Sequence, residues 1–315
     1  MVYDNPYERR RPPGATFNPA GRLSRVVCTL VFAWQVFTDA PVVAAANRDE
    51  LLERPSTSPE VVDESPRVLA PRDEEAGGTW IGYNEHGVFV AVTNRWTGSE
   101  ARPEGVPQIS ERGAKRPASR EVDRSEARSE GASGDSSAAS AERRAERSRG
   151  LLVRDALGQS SAEDAARLVE RELDDRTYDG FNLVLADSNA ALLVEWDGET
   201  RGVRNFDPGV HVVVNVGADG DYAIPESRAE AGEAQARNAG KVATALRPEP
   251  GETSTGWLDR AADVVSDHEY GVCVHRDRFG TRSSSLIEIG REGSRYRYAD
   301  GPPCETDYRD VDSQI

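Results

Sequence analysis

Lysine is almost missing from this 315-residue chain: Lys115 and Lys241 stand among 39 basic residues, so 39 − 2 = 37 are arginine. Cysteine is scarce as well. Cys28, Cys273 and Cys304 form an odd set without regular spacing, which argues against a disulfide framework and against zinc. The four histidines, His86, His211, His268 and His275, show no metal-ligand spacing in the sequence, so no metal is expected. No apolar run approaches the roughly 20 residues needed to cross a membrane. Residues 1–27 carry Arg9-Arg10-Arg11-Pro12-Pro13 but no apolar segment before Cys28. A secretory signal is therefore not expected, and the expected location is cytoplasmic. No basic stripe with interleaved aromatics is present, so a nucleic-acid partner is not expected; the partner is expected to be a small-molecule substrate or ligand.

Acidic residues, by contrast, are abundant. The 55 Asp and Glu give a formal charge of −16. A Lys-poor, Arg-rich and acidic chain is expected of a salt-saturated cytoplasm, where a carboxylated surface stays hydrated and its self-repulsion is screened. A GC-rich genome alone explains arginine over lysine but not the acidic excess.

Apolar patterning sets the organisation. Residues 1–25 are polar and rich in Arg and Pro, and read as an unstructured leader extending to residue 27. Val26 to Trp34 and Pro41 to Ala46 read as strands around a Thr38-Asp39 turn. Residues 53–75 read as a Pro- and Glu-rich loop. Gly77 to Asn94 reads as a hairpin with alternating apolar residues. Residues 97–149 lack Phe, Trp and Tyr, and Val106, Ile109 and Val122 are their only branched aliphatics. Such a stretch buries too little apolar surface to offset its ordering entropy and reads as a disordered insertion.

Helical spacing follows at Leu151–Leu157 and Ala162–Leu173, the latter behind a Ser160-Ser161 cap. A hairpin is expected from Phe181–Ala186 and Ala191–Trp196, then a strand at His211–Val216. Helices are expected at Pro225–Leu246 and Trp257–Val265. Strands at Val272–His275, Ser284–Ile289 and Arg295–Tyr298 close the chain. Blocks of strands alternating with blocks of helices predict layered sheets flanked by helices, an α+β class, instead of a doubly wound sheet.

Cys28 opens the first strand, and the second ends in Asn47-Arg48-Asp49-Glu50. A thiol facing a cation and polar groups has the parts of an activated nucleophile. A small buried cysteine at a strand start is the plainer alternative. Were Cys28 the first residue, its α-amine, with a pKa near 8, would lie close to a thiol at about 8.5 and exchange a proton with it nearly in balance.

Cys28-Thr29-Leu30 with Asn47-Arg48-Asp49-Glu50, then Gly77-Gly78-Thr79-Trp80-Ile81-Gly82 through Thr93-Asn94, then Ser148-Arg149-Gly150-Leu151-Leu152, Tyr178-Asp179-Gly180-Phe181-Asn182-Leu183-Val184 and Gly280-Thr281-Arg282-Ser283-Ser284 together resemble the NRDE family, also called the transport and Golgi organisation family. The resemblance covers residues 28 to about 290 apart from the insertion. It implies an N-terminal nucleophile hydrolase-like, four-layer αββα sandwich within 28–315. It is similar to the cysteine branch that holds choloylglycine hydrolases and penicillin V acylases, in which cysteine becomes residue one.

The resemblance implies a cysteine-type amidohydrolase acting on a linear amide or acyl conjugate, with Cys28 as nucleophile and no cofactor. In that reading Arg48 or a neighbouring carboxylate orients the amine and stabilises the thiolate. Strand alternation puts Asn47 and Asp49 on one face and Arg48 and Glu50 on the other; which of the four points inward is left open. Asn94 and Asn215 stand either as oxyanion donors or as ordinary strand-ending asparagines. Arg282 resembles the late arginine of the cysteine amidases, or is a surface turn residue. Trp80, Tyr83, Trp96 and Phe181 line an acyl pocket or pack the core.

This chain departs from the pattern in the 27 residues before Cys28. Either Val26 or Val27 is the true start, encoded by GTG, or the leader is cleaved after Val27; the first is preferred, because the leader carries no family feature. The resemblance also implies a non-enzymatic alternative, a haem- or lipid/acyl-handling protein, in which His86, His211 or Cys28 would be the axial ligand of a haem.

Overall fold

Strand β1 (Thr29–Trp34) is buried along its whole length, and its apolar residues divide between two cores. Leu30, Phe32 and Trp34 point into one, whereas Val31 and Ala33 point into another. A strand covered on both faces reads as a continuous apolar run, which is the pattern of Thr-Leu-Val-Phe-Ala-Trp. The computed structural model describes residues 28–98, 145–312 and 315. The leader 1–27 and most of the expected insertion lie outside the described residues.

Next in the chain come β2 (Val42–Leu51), β3 (Ser56–Glu64), β4 (Arg67–Asp73), β5 (Ile81–Asn84) and β6 (Phe89–Asn94). Two helices follow, α1 (Arg149–Leu157) and α2 (Ala162–Asp175). Then come β7 (Phe181–Ala186), β8 (Ala191–Trp196), β9 (Arg201–Asn205), β10 (Gly209–Val214), β11 (Gly217–Ala218) and β12 (Asp221–Tyr222). Helices α3 (Ala229–Ala245) and α4 (Ser254–Ser266) precede β13 (Phe279–Ile289), β14 (Ser294–Ala299) and β15 (Arg309–Asp310).

The strands make two antiparallel sheets. One has the order β12-β11-β10-β1-β2-β13-β14-β15, the other β3-β4-β5-β6-β7-β8-β9. Leu30, Phe32, Tyr83, Phe89, Ile287 and Tyr296 fill the space between them. Helices α3 and α4 cover the outer face of the first sheet through Val242, Trp257 and Leu258, packed on Val31 and Val43. Helices α1 and α2 cover the second sheet through Leu152, Leu157 and Val169, packed on Val90 and Leu183. Three apolar cores between four layers make an αββα sandwich, as expected. Truncating a wholly buried ring such as Phe32 to alanine costs about 3–5 kcal/mol in such a core.

Local chemistry starts and stops the helices. Ser148 caps α1 by accepting from the Gly150 amide, Ser161 caps α2 by accepting from Asp164, and Thr253 caps α4 by accepting from Gly256. Glu163 and Asp164 place negative charge on the first turn of α2. Gly78 is required by contact: a Cβ there would lie 2.1 Å from the Gly150 carbonyl carbon. The Gly77-Gly78-Thr79 turn thus lies directly on the start of α1, and the Thr79 amide donates to Gly150 O at 3.0 Å.

Four expectations need correction. Residues 53–75 hold the antiparallel pair β3 and β4, not a loop; β3 is the edge of its sheet, where prolines and acidic residues are tolerated. The expected strand at 272–275 is a single bridge between His275 and Gly280. Arg201–Asn205 forms an unexpected exposed edge strand. The expected insertion reaches 149, whereas Ser148 and Arg149 already belong to α1 and its cap. Among the described residues, no helix is long and apolar enough to cross a membrane.

Candidate functional site

The neighbourhood of Cys28 follows from strand register. Thr29 pairs with Asn47 across β1 and β2, and one further step places Cys28 opposite Arg48. Side chains alternate along a strand, so Cys28 and Arg48 share the face between the sheets, while Thr29, Asn47 and Asp49 face helices α3 and α4. Along β2 the alternation sets Asn47 and Asp49 against Arg48 and Glu50, and Arg48 and Glu50 are the members on the side of the thiol.

Cys28 is half-buried. Its backbone nitrogen donates to Asn215 Oδ1 at 3.1 Å, and its Sγ lies 3.9 Å from Asp49 O. Asn215, wholly buried at the end of β10, makes three side-chain bonds. Its Oδ1 also accepts from Gln235 Nε2 at 2.8 Å, and its Nδ2 donates to Asn94 O at 2.7 Å. Two donors converge on Oδ1 and a carbonyl faces Nδ2, so the amide has one consistent orientation. Asn215 thus holds the Cys28 nitrogen, and one of the two protons of its Nδ2 is engaged with Asn94 O. The Asn94 contact comes through its backbone carbonyl.

Arg48 is buried. Its Nη2 lies 3.1 Å from Asp73 Oδ2, and its guanidinium stacks 4.0 Å from the centre of the Trp80 ring. Asp73 in turn accepts from Arg54 Nε at 2.7 Å. Glu50 is half-buried, accepts from the Leu51 amide and lies 3.9 Å from Arg54. Asp49 is wholly buried; Thr281 Oγ1 donates to its Oδ1 at 2.6 Å, and Oδ2 has no hydrogen-bond partner among the described residues. Burial holds its carboxyl well above the usual carboxylate range, although the Thr281 bond and the charge of Arg276 pull the other way.

Burial likewise pushes the Cys28 thiol up to about 12, and a negative charge on Asp49 adds to the shift, against the opposing charge of Arg48. At neutral pH this sulfur is a thiol, and its activation requires a base. Arg149, at the first turn of α1, is the cation that residue-by-residue reading missed. Its Nη1 donates to Gly180 O at 2.8 Å. Burial lowers its pKa, and the charges of Asp179, Cys28 and Glu50 raise it. Among the described residues no carboxylate forms an ion pair with it. The signal was present in Ser148-Arg149-Gly150, but the absence of apolar residues upstream carried the insertion across it.

The other expected residues lie elsewhere. Asn47 donates to Val265 O at 2.8 Å and Val272 O at 2.9 Å, and accepts from Ser284 Oγ at 2.7 Å. It ties the sheet to the end of α4, so the structure shows no contact of its side chain with Cys28. Arg282 occupies a bulge in the pairing of β2 and β13 and runs to the exposed Asp300 at 3.3 Å. Tyr83 and Phe181 are core residues, whereas Trp96 lines a pocket of about 120 Å³ together with Thr29, Val214, Gln235, Val272 and Arg276.

Neither histidine considered for a haem presents a free, enclosed ring nitrogen. Both ring nitrogens of His211 are engaged, Nδ1 with Asp219 at 2.7 Å and Nε2 with Asp207 O at 2.8 Å, and His86 is exposed on the β5–β6 turn. His268, Cys273, His275 and Cys304, which linear spacing leaves unrelated, come together in a separate cluster. The β13–β14 hairpin returns the chain and brings Cys304 back to the segment before β13.

Four layers with a cysteine at the open end of a central strand define the class of this protein. The chain belongs to the Transport and Golgi organisation 2 family, whose model matches residues 27–116 and 133–300. No curated protein matches it. Among solved structures, penicillin V acylase from Agrobacterium tumefaciens is similar at 12% identity and a TM-score of 0.48, over 87% of this chain and 83% of that one. The Caenorhabditis elegans ortholog of N-acylethanolamine-hydrolyzing acid amidase gives 12% and 0.45, over 82% and 92%. A mutant conjugated bile acid hydrolase from Clostridium perfringens gives 12% and 0.43, over 92% and 93%. All three TM-scores lie below 0.5, and no activity is carried over from them.

Proposed function

We propose that this protein is a cysteine amidohydrolase of the N-terminal nucleophile type, acting on a linear amide or acyl conjugate once Cys28 is residue one. The observation that carries this reading is the grip on the Cys28 nitrogen: Asn215 Oδ1 lies 3.1 Å from it. In a chain that continues upstream, that nitrogen is an amide without basicity. In a chain that begins at Cys28, the same contact orients a free amine beside the sulfur. The start of the family match at Val27 supports a mature chain that begins at Cys28.

The chemistry then balances with this chain's groups and water. The α-amine takes the thiol proton, and the thiolate attacks the amide carbonyl carbon. Arg149, which no carboxylate among the described residues pairs, stabilises the developing oxyanion, and Arg48 supports the thiolate from across the strand pair. The ammonium returns its proton to the leaving amine as the C–N bond breaks, which leaves an acyl-thioester on Cys28. The amine next takes a proton from water, the hydroxide displaces the thiolate, and a carboxylic acid is released.

Intact mass and N-terminal sequence of the protein from its native host, followed by assay with acyl amides, test the proposal. Cys28 as the free first residue, with activity lost in Cys28→Ala, is the expected result. Active material that retains residues 1–27 would overturn it.

A further inference from the structure

The cluster of His268, Cys273, His275 and Cys304 has the composition and the spacing of a metal site. His268 sits in the helical turn 268–270, and Gly271, at φ 66°, redirects the chain in the left-handed region. Cys273 and His275 follow, and Cys304 arrives from the segment after β14. One ligand atom from each side chain can be chosen so that all lie within 4.8 Å of one another. Cys273 Sγ is 3.5 Å from Cys304 Sγ and 3.7 Å from His275 Nε2, and His275 Nε2 is 3.0 Å from Cys304 Sγ. A tetrahedral zinc with Zn–S near 2.3 Å and Zn–N near 2.0–2.1 Å sets its ligand atoms about 3.3–3.8 Å apart. The three separations among Cys273, His275 and Cys304 lie at or just below that range, and the set with His268 closes to within 4.8 Å, about 1 Å wider than a bound ion would draw it. The sulfurs are far beyond the roughly 2.05 Å of a disulfide, and all three cysteines are free.

We propose that His268, Cys273, His275 and Cys304 form a tetrahedral structural metal site that takes Zn²⁺. Two thiolates and two imidazoles are a soft-to-borderline set that favours zinc over magnesium or calcium, which prefer oxygen. Four protein ligands leave no open position, so the site is structural and not catalytic. While the Nε2 of His275 faces the sulfurs, its Nδ1 lies 4.0 Å from Glu305 Oε1, a charge contact too long for a hydrogen bond. Binding releases one proton from each thiol, and two thiolates neutralise the charge of the ion.

The role follows from alternation along the chain. Cys273 and His275 point to the cluster, whereas Val272, Val274 and Arg276 line the pocket beside Thr29. Zinc would pin this pocket wall to the C-terminal segment through Cys304. The site stands independently of the fate of residues 1–27.

The full chain, purified with reductant and zinc present, is analysed for metal content and then titrated with Co²⁺ after the zinc is removed. A single zinc per chain and thiolate-to-cobalt charge-transfer with tetrahedral ligand-field bands are expected. Both are expected to be lost in the Cys273→Ser/Cys304→Ser double variant and unchanged in Cys28→Ser. Absence of the cobalt bands in the unmodified chain would overturn the site, and that titration decides the matter even if the double variant does not fold. Cys273 and Cys304 found joined in freshly reduced protein, or cobalt bands lost with Cys28→Ser, would overturn it too.

Discussion

The backbone nitrogen of Cys28 and Oδ1 of Asn215 meet at 3.1 Å, although 187 residues separate them in the chain. The contact links β1 to the end of β10, and Gln235 of α3 joins it from the helical layer. Asn215→Ala removes an acceptor used twice and a donor used once, all in a buried place. A loss of about 1–3 kcal/mol is expected for each group left unsatisfied, measured by urea unfolding. On an acyl amide, the variant is also expected to lose about 10²-fold or more in turnover, the range of a positioned base. Unchanged turnover in a folded Asn215→Ala protein would remove Asn215 from the proposed site.

Alkylation should report the state of the sulfur. With residues upstream of Cys28 attached, burial sets the thiol at about 12, so its thiolate is scarce at pH 7–8. Iodoacetamide labelling of Cys28, mapped by mass spectrometry, should therefore be slow there and climb steadily toward pH 12. A chain that begins at Cys28 should label faster near pH 8, because the amine exchanges protons with the thiol. Equal profiles for the two chains would show that the amine does not act on the sulfur.

Much of this arrangement was legible in the sequence. The apolar runs of β1, β2, β7 and β8 announce themselves because both faces of each strand are covered. β3 and β9 do not: they are edge strands whose partly exposed side chains are polar, and β3 contains Pro59. Their pairing is decided by the neighbouring strand, not by their own pattern. Alternation separates Arg48 and Glu50 from Asn47 and Asp49 in the sequence, but only the register of β1 on β2 decides which pair shares the face of Cys28. Asn47 was not readable as a clamp for α4, because its acceptors Val265 O and Val272 O are backbone groups brought near only by the fold. The same holds for the His268 cluster. Its separations, 273 − 268 = 5, 275 − 273 = 2 and 304 − 275 = 29, match no compact motif and close only through a hairpin.

Asp49 should tilt the pH dependence of stability. Burial raises its folded-state pKa above the ordinary carboxylate value, so between the unfolded and folded values the native state binds more protons than the unfolded state. Stability must then fall as pH rises through that window. Asp49→Asn keeps an acceptor for Thr281 and removes the titration. Its unfolding free energy should vary less with pH above about 4, the start of the window set by an unfolded aspartate. An unchanged slope in the variant would show that Asp49 does not carry it.

Gly78 offers a test of how α1 is placed. A Cβ at this position would lie 2.1 Å from Gly150 C, 2.4 Å from Gly150 O and 2.5 Å from Leu151 N. All three are backbone atoms, so no side chain can turn aside. Gly78→Ala is expected to cost at least about 1–3 kcal/mol through overpacking and to displace the start of α1, on which Arg149 sits. Thermal unfolding should show the loss. Wild-type stability in Gly78→Ala would mean that the turn and the helix are not held in contact.

Salt sets two opposing terms against each other. Exposed pairs such as Arg295–Asp310 and Arg167–Glu163 are weakened by screening, but each is worth only about 0–1 kcal/mol. Against them stands an excess of 55 − 39 = 16 acidic over basic residues, whose mutual repulsion destabilises the compact state. The screening length shrinks from about 10 Å at 0.1 M to about 3 Å at 1 M. Repulsion acts over the whole surface and so loses more by this contraction than close ion-pair contacts do. The thermal midpoint should therefore rise between about 0.1 and 1 M NaCl. A midpoint that falls throughout would mean that the ion pairs outweigh the excess charge, and the acidic surface would then need another explanation than adaptation to salt.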